Sequence, residues 1–313
     1  MSKATPAERL NERNKMSESQ DEPWTVLRLL DWTTDFFKRK GSESPRLDAE
    51  VLLSHARECE RIELYTAFAE EPDGEQRVAF REMVRRRGEG MPVAQLVGYR
   101  EFYSSRFRVN EATLIPRPET EHLVVEALDC AKQFSVDRPL QVIDVGTGSG
   151  AIAISVVQNF DSVEMTAVDV SEAALKIAEW NAQKHEVADR IQFVQSDLLS
   201  EVEKPERFDI ICSNPPYVSE AEYRELSPTV RDFEPRGALV SGPEGTEVIA
   251  RLLEQAPDRL HAGGRLIIEL SPMIADACQA MALADPAFGD LRFIKDLDGH
   301  RRILSLQRTD HSR

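Results

Sequence analysis

From Pro139 onward the chain alternates short apolar runs with longer stretches of helical periodicity, and this alternation constrains the fold more than any other feature. It predicts strands at Leu140 to Val145, Glu164 to Asp169, Ile191 to Gln195, Phe208 to Ser213, Arg265 to Glu269, Leu291 to Lys295 and Arg302 to Leu306. Helical segments fall between most of them, including Ala151 to Asn159 and Glu172 to His185. A strand that is repeatedly followed by a helix returns parallel to itself, so the expectation is an α/β domain with a mostly parallel seven-stranded sheet covered on both faces.

The first third of the chain has a different character. Residues 1 to 22 are polar and charged and are expected to form a disordered tail. From Trp24 to about Arg87 the pattern is helical, carried by Val26, Leu27, Leu29 and Leu30, then Ala49, Val51, Leu52 and Leu53, then Val78, Phe80, Met83 and Val84. Arg85-Arg86-Arg87 closes the last of these helices, where cations suit the helix dipole. Residues 23–91 therefore read as a small helical domain. Residues 92–117 read as a linker containing a short β-hairpin, on the mixture of Tyr99, Phe102, Tyr103, Phe107 and Val109 with polar residues. Residues 118–313 hold the α/β domain. Just before it, Ile115-Pro116-Arg117-Pro118-Glu119-Thr120-Glu121 places one arginine between two prolines, which stiffens the loop and fixes where Arg117 points.

Composition narrows the function. The 313 residues carry a formal net charge of -16, which disfavours tight, sequence-independent binding to a phosphate backbone. The four cysteines, Cys59, Cys130, Cys212 and Cys278, show neither a CxxC pair nor metal-ligand spacing, and read as buried free thiols of a reducing compartment. No metal site is expected. No apolar run reaches the length of a membrane span, and the N-terminus has no secretory h-region, so a cytoplasmic protein is expected.

Two strand ends carry the chemistry. The first strand runs into Asp144-Val145-Gly146-Thr147-Gly148-Ser149-Gly150, a glycine-rich turn whose backbone a ligand can approach closely. The second ends in Asp169, where a carboxylate can accept both hydroxyls of an adenosine ribose. The alternating Gly146, Gly148 and Gly150 depart from the GxGxxG dinucleotide pattern, and Asp144 before them can meet a cationic ligand end. Both details favour S-adenosylmethionine. Asp197, at the end of the third strand, is placed to reach an adenine amino group, with Leu198 covering the ring.

The fourth strand stops at Asn214-Pro215-Pro216-Tyr217. An amide nitrogen is a poor nucleophile because its lone pair is delocalised into the carbonyl. Two acceptors aimed at its two hydrogens, the Asn214 side-chain oxygen and the Pro215 carbonyl, hold it and favour the charge-developing nitrogen of the transition state. The proline pair fixes the direction of that carbonyl, and Tyr217 offers a flat face to a planar group. The expected reaction is methylation of a planar amide or amino nitrogen.

On these motifs the chain resembles the release-factor glutamine N5-methyltransferases, the HemK-like family. The resemblance runs from about Trp24 over nearly the whole chain. It also rests on Pro92-Val93-Ala94-Gln95-Leu96-Val97-Gly98, the Ile115 to Glu121 loop, and Arg231-Asp232-Phe233-Glu234-Pro235 with Ala238-Leu239. It implies a class I, Rossmann-like methyltransferase domain. The turn Gly146, Thr147, Gly148, Ser149 and Gly150, with Asp144, Asp169, Asp197, Leu198 and Asn214, would form the S-adenosylmethionine site. Asn214, Pro215, Pro216 and Tyr217 would hold the glutamine of a Gly-Gly-Gln loop in peptide chain release factors, and the helical domain would dock the rest of that partner. Three features depart from the pattern: Leu198 stands where some members have an aromatic residue, Leu270 follows Glu269 where many have glycine, and residues 1–22 are unmatched. Two other readings compete. A nucleic-acid adenine or guanine amino methyltransferase shares the Asn-Pro-Pro-Tyr motif but needs a basic face, and a non-catalytic module of the same fold would have no use for that motif.

Overall fold

The computed structural model describes residues 23–203 and 207–309. The tail expected at 1–22 lies outside them. The chain divides into two compact units between Val97 and Gly98.

The first unit is helical: α1 (Val26–Arg39), α2 (Pro45–Ala56), α3 (Arg61–Thr66), α4 (Gly74–Gly88) and α5 (Val93–Val97). Thr25 caps α1 by accepting from the Arg28 amide, and Asp73 opens α4 in a capping box with Gln76. Leu30, Phe37, Leu52, Leu53, Leu64 and Phe80 fill its core. Glu50, 3% exposed, takes bonds from Arg46, Arg61 and Tyr65. Burial alone would raise its pKa, but these donors outweigh burial and hold it below the usual carboxylate value. Helix α3 was not expected, since six residues give too short a window for periodicity. Arg85 and Arg87 of the basic cluster are engaged with Glu82, Glu89 and Asp48.

The second unit opens with the hairpin β1 (Tyr99–Phe102) and β2 (Ser105–Arg108), followed by α6 (Glu121–Ala131), β3 (Leu140–Val145), α7 (Ala151–Asn159), β4 (Val163–Asp169), α8 (Glu172–Lys184), β5 (Ile191–Gln195) and β6 (Phe208–Ser213). After these come β7 (Val218–Ser219), α9 (Glu220–Glu225), α10 (Pro228–Arg231), β8 (Val240–Gly242), α11 (Glu247–Arg259), β9 (Leu260–Glu269), α12 (Ala275–Ala284), β10 (Phe288–Lys295) and β11 (Arg301–Arg308). Residues 92–117, expected as one linker, are thus split: α5 belongs to the first unit and the hairpin to the second. The hairpin is fastened by Asn181 of α8, which accepts from the Arg108 amide at 2.8 Å and donates to the Arg108 carbonyl at 3.1 Å. Phe102 and Phe107 are buried with it.

Seven strands form one sheet in the order β10-β11-β9-β6-β3-β4-β5. Strands β5, β4, β3, β6 and β9 are parallel, while β11 runs antiparallel to both β9 and β10. Side chains alternate faces, so Val142, Ile210 and Cys212 pack under α6 and α7, and Ile143, Val145 and Ile211 pack under α11 and α12; Phe208, beside a register shift, joins the latter group. From β3 the chain winds outward through β4 and β5, then crosses back to β6. The strand order reverses between β3 and β6, and a crevice opens at their C-terminal ends.

Helix α7 begins at Gly150, whose φ is +81°. A Cβ there would lie 3.0 Å from Ile154 Cδ1 and 3.2 Å from Ala178 Cβ, so the bare glycine lets α8 close onto α7. Gly150→Ala should cost about 1–3 kcal/mol, from left-handed backbone and crowding together. Gly148→Ala meets open space and carries only the backbone cost at φ +56°. Thermal unfolding of the two variants should rank Gly150→Ala several degrees lower; equal melting temperatures would remove the packing argument.

Candidate active site

The register of β3 against β6 pairs Val145 with Ser213, and the Ser213 hydroxyl donates to the Val145 carbonyl at 2.8 Å. Gly146 and Asn214, the next residues on each strand, therefore emerge side by side. Around them lies a cavity of about 310 Å³. Gly146, Thr147, Gly148, Ser149, Asp169, Asp197, Leu198, Asn214 and Pro216 line it. Asp144, Gly150, Pro215 and Tyr217 do not. Asp144 and Pro215 are buried, and Tyr217 packs on the core beneath the β6 end.

Asp144 lies under the glycine turn with no exposure. One oxygen, Oδ2, accepts from the Thr147 hydroxyl at 2.7 Å and the Ala153 amide at 3.3 Å, bracing the turn and the start of α7. The other, Oδ1, is buried without a partner among the described residues. Burial pushes the Asp144 pKa up to about 7, against the pull of those two bonds and aided by nearby Asp169.

Asp169 sits at the cavity. Its two oxygens accept from the Gly148 and Ser171 amides, each at 2.9 Å, and burial raises its pKa against those bonds. A carboxylate has about four acceptor positions, so two remain for a diol. Val170 and Leu198 bring apolar surface to the same cavity. Leu198 holds a left-handed φ of +55°, in a turn closed by Ser196 Oγ donating to the Leu198 carbonyl at 2.8 Å. Asp197 is gripped by Arg251 of α11 at 2.7 Å. A carboxylate for a ribose diol, apolar surface for a flat ring, an acidic residue for an amino group and an open Gly148 together fit an adenosine-containing ligand.

Several residues here carry no sequence signal for their roles. Glu234, 5% exposed, accepts from the Ile115 amide at 3.0 Å and from Arg117 at 2.5 Å, so it ties the Pro-Arg-Pro loop to the segment after α10. Arg117 does line the cavity, but its guanidinium is held by this ion pair. Gly245, φ +81°, abuts the strand after the proline pair: a Cβ would lie 2.7 Å from the Tyr217 carbonyl. Arg251 comes from a helix whose amphipathic pattern hides it among ordinary surface charges.

The raised pKa of Asp144 has a thermodynamic consequence. Its folded value of about 7 exceeds the unfolded value of about 3.9, so this group stabilises the fold fully below about pH 4 and progressively less as pH rises through 7. Asp144→Asn keeps the shape and removes the titration. The stability difference between wild type and variant should change by about 2–4 kcal/mol from pH 4.5 to 8.5. Parallel calorimetric stability curves over that range would show that Asp144 holds no proton.

Comparison with known proteins accords with this geometry. A family model of the PrmC N-terminal domain matches residues 28–98, and one of the methyltransferase small domain matches residues 122–229. A protein of Rhodopirellula baltica named release factor glutamine methyltransferase is 61% identical over 93% of this chain and 98% of its own length. Proteins of the same name from Chlorobaculum tepidum and Koribacter versatilis are 40% and 37% identical, covering 91% and 90% of this chain and 98% and 97% of their own. Among solved structures, the human Mettl16 catalytic domain in complex with a MAT2A 3′UTR hairpin superposes with a TM-score of 0.54 at 14% identity, over 74% of this chain and 83% of that one; this likeness is one of fold. With a class I methyltransferase sheet and relatives that align over nearly their whole length, the chain belongs to the release factor glutamine methyltransferase family.

Proposed function

We propose that this protein transfers a methyl group from S-adenosylmethionine to the side-chain amide nitrogen, N5, of the glutamine in the Gly-Gly-Gln motif of peptide chain release factors. The observation that carries this reading is the position of Asn214. It stands at the end of β6 on the rim of the cavity, with its Nδ2 committed to Thr120 Oγ1 at 3.1 Å. Its Oδ1 takes no hydrogen bond among the described residues, which leaves an acceptor for the amide hydrogen of a substrate. Pro215 and Pro216 fix the direction of the adjoining backbone carbonyls, and Gly245 packs against the backbone that follows. Asp169, Asp197, Leu198 and the Gly146–Gly150 turn hold the methyl donor, which supplies an electrophilic methyl group on a sulfonium. The residues on the substrate side need only orient the nitrogen and accept from its two hydrogens while positive charge develops there. Tyr217 stays a neutral phenol, since burial raises its pKa, with Glu269 nearby adding to the shift.

The helical unit carries none of these groups. It exposes Trp24, Trp32 and Val78 around a groove of about 650 Å³ edged by Arg77, Arg81 and Arg85. Aromatic and arginine side chains together are the composition of protein-binding surfaces, and this unit is proposed to dock the body of the release factor.

Two measurements follow. Asn214→Ala should lower single-turnover methyl transfer about 100-fold or more at saturating cofactor, while Asn214→Asp, which keeps an acceptor, should retain more activity. Wild-type turnover in the alanine variant would sink the mechanism, and methylation of free adenine or DNA in place of a Gly-Gly-Gln protein would sink the substrate. Trp32→Ala combined with Arg81→Glu should raise KM for intact release factor about tenfold, as expected for losing an interface hot spot. Its rate on a short Gly-Gly-Gln peptide should not change; an unaltered KM for the factor would refute the docking role.

A further inference from the structure

Asn214 presents an ambiguity that decides whether the site works. A side-chain amide is nearly symmetric in shape, but one end donates and the other accepts. With Oδ1 toward the substrate, Asn214 accepts from the target nitrogen. Flipped, it would point an N–H at a nitrogen that must itself donate, and the acceptor would be lost. Rotating the amide by 180° changes no packing, so sterics alone cannot choose. A hydrogen-bonding neighbour must choose.

Two buried residues occupy that position. Thr120, 4% exposed, ends the Pro-Arg-Pro-Glu-Thr segment and accepts from Asn214 Nδ2 at 3.1 Å. Glu269, 2% exposed, ends β9, the strand next to β6, with the Thr120 side chain beside it. Its Oε2 is buried with no partner among the described residues. We infer that Glu269 and Thr120 are positioning residues that polarise the Asn214 amide: the carboxylate accepts from the Thr120 hydroxyl, the hydroxyl can then only accept from Asn214 Nδ2, and Oδ1 is left facing the substrate nitrogen.

The direction of this chain follows from hydrogen-bond inventory alone. A carboxylate cannot donate, so the one hydroxyl proton of Thr120 goes to it. Burial lifts the Glu269 pKa to about 7, with Thr120 opposing, Glu119 adding to the rise, and Arg302 and Arg117 opposing. A neutral carboxyl could donate to Thr120 Oγ1, so the chain runs in this direction while Glu269 is ionised. A glutamine at this position behaves differently. Its NH2 can donate to Thr120 Oγ1, which turns the hydroxyl proton toward Asn214 and stabilises the flipped amide. Glu269→Gln, nearly identical in shape, is therefore the change that attacks polarity without attacking packing.

This inference rests on the proposed amide substrate, and the test keeps the two separable. Single-turnover methylation of a Gly-Gly-Gln release factor would be measured for wild type, Glu269→Gln, Thr120→Val and Thr120→Ser, alongside the S-adenosylmethionine dissociation constant of each by calorimetry. Glu269→Gln and Thr120→Val should lose about tenfold or more in rate, as when a preorganised hydrogen bond is removed, with cofactor affinity within about twofold of wild type. Thr120→Ser should restore most of the rate. In an Asn214→Asp background both ends of the side chain accept, so orientation no longer matters. There Glu269→Gln should cost less than about twofold, or accelerate the reaction by removing a second buried carboxylate. Wild-type rates in both single variants would overturn the relay. So would a Thr120→Ser variant as slow as Thr120→Val, or an equal loss from Glu269→Gln in the Asn214→Asp background. If wild type itself methylates no release factor, the substrate reading fails; normal wild-type activity with insensitive variants overturns the relay alone.

Discussion

The pairing of β3 with β6 is the constraint from which the site follows. These strands are neighbours in space but are separated in sequence by two helices and two further strands. Their parallel register aligns Val145 with Ser213, and the Ser213 hydroxyl closes the last rung. A slip of one residue would turn every side chain of β6 to the opposite face, exposing Phe208 and Ile211 to the wrong helices and carrying Asn214 away from the glycine turn. Apolar burial on both faces of the sheet thus enforces the alignment of the glycine turn with Asn214.

Around this pair the site is held by buried polar groups. Glu234 binds the Pro-Arg-Pro loop, Asp144 braces the glycine turn, and Asp209 at the opposite end of β6 takes both arms of Arg138 and the Gln141 amide. Each is nearly or wholly buried, and each fastens a loop or turn in place. Apolar packing is tolerant of small shifts, whereas a buried hydrogen bond has a narrow range of geometry. The sheet sets the coarse position of the loops and these carboxylates set the fine one.

Much of this was legible in the sequence, and the reasons are physical. The interior strands read clearly because both faces are apolar: Phe208 to Ser213 is a strand in the structure with the predicted bounds. Strand β9 was expected at Arg265 but starts at Leu260, because His261-Ala262-Gly263-Gly264 has the composition of a turn, while a register shift between Leu260 and Arg265, opposite Phe208 and Ile210, absorbs it into the sheet. Glycines 146, 148 and 150 marked the turn after β3, and all three take a positive φ there. Roles that depend on pairs distant in sequence did not show. Thr120 read as part of the Ile115 to Glu121 loop, Glu269 as the end of a strand, and Arg251 as one surface charge among many. Asp144 was visible as an acidic residue before the glycines, but its burial beneath them is a property of the folded turn alone.

Asn181 joins two parts that the chain keeps far apart. Besides holding both backbone groups of Arg108, its Nδ2 donates to the Ser149 carbonyl at 2.8 Å. One buried amide therefore spans the end of the β1–β2 hairpin and the inside of the glycine turn. Hairpin and turn thus share one anchoring side chain, and a substitution at Asn181 removes hydrogen bonds from both. The sequence suggested a linker between domains; in the structure the hairpin is fastened through Asn181 to the turn that lines the cavity.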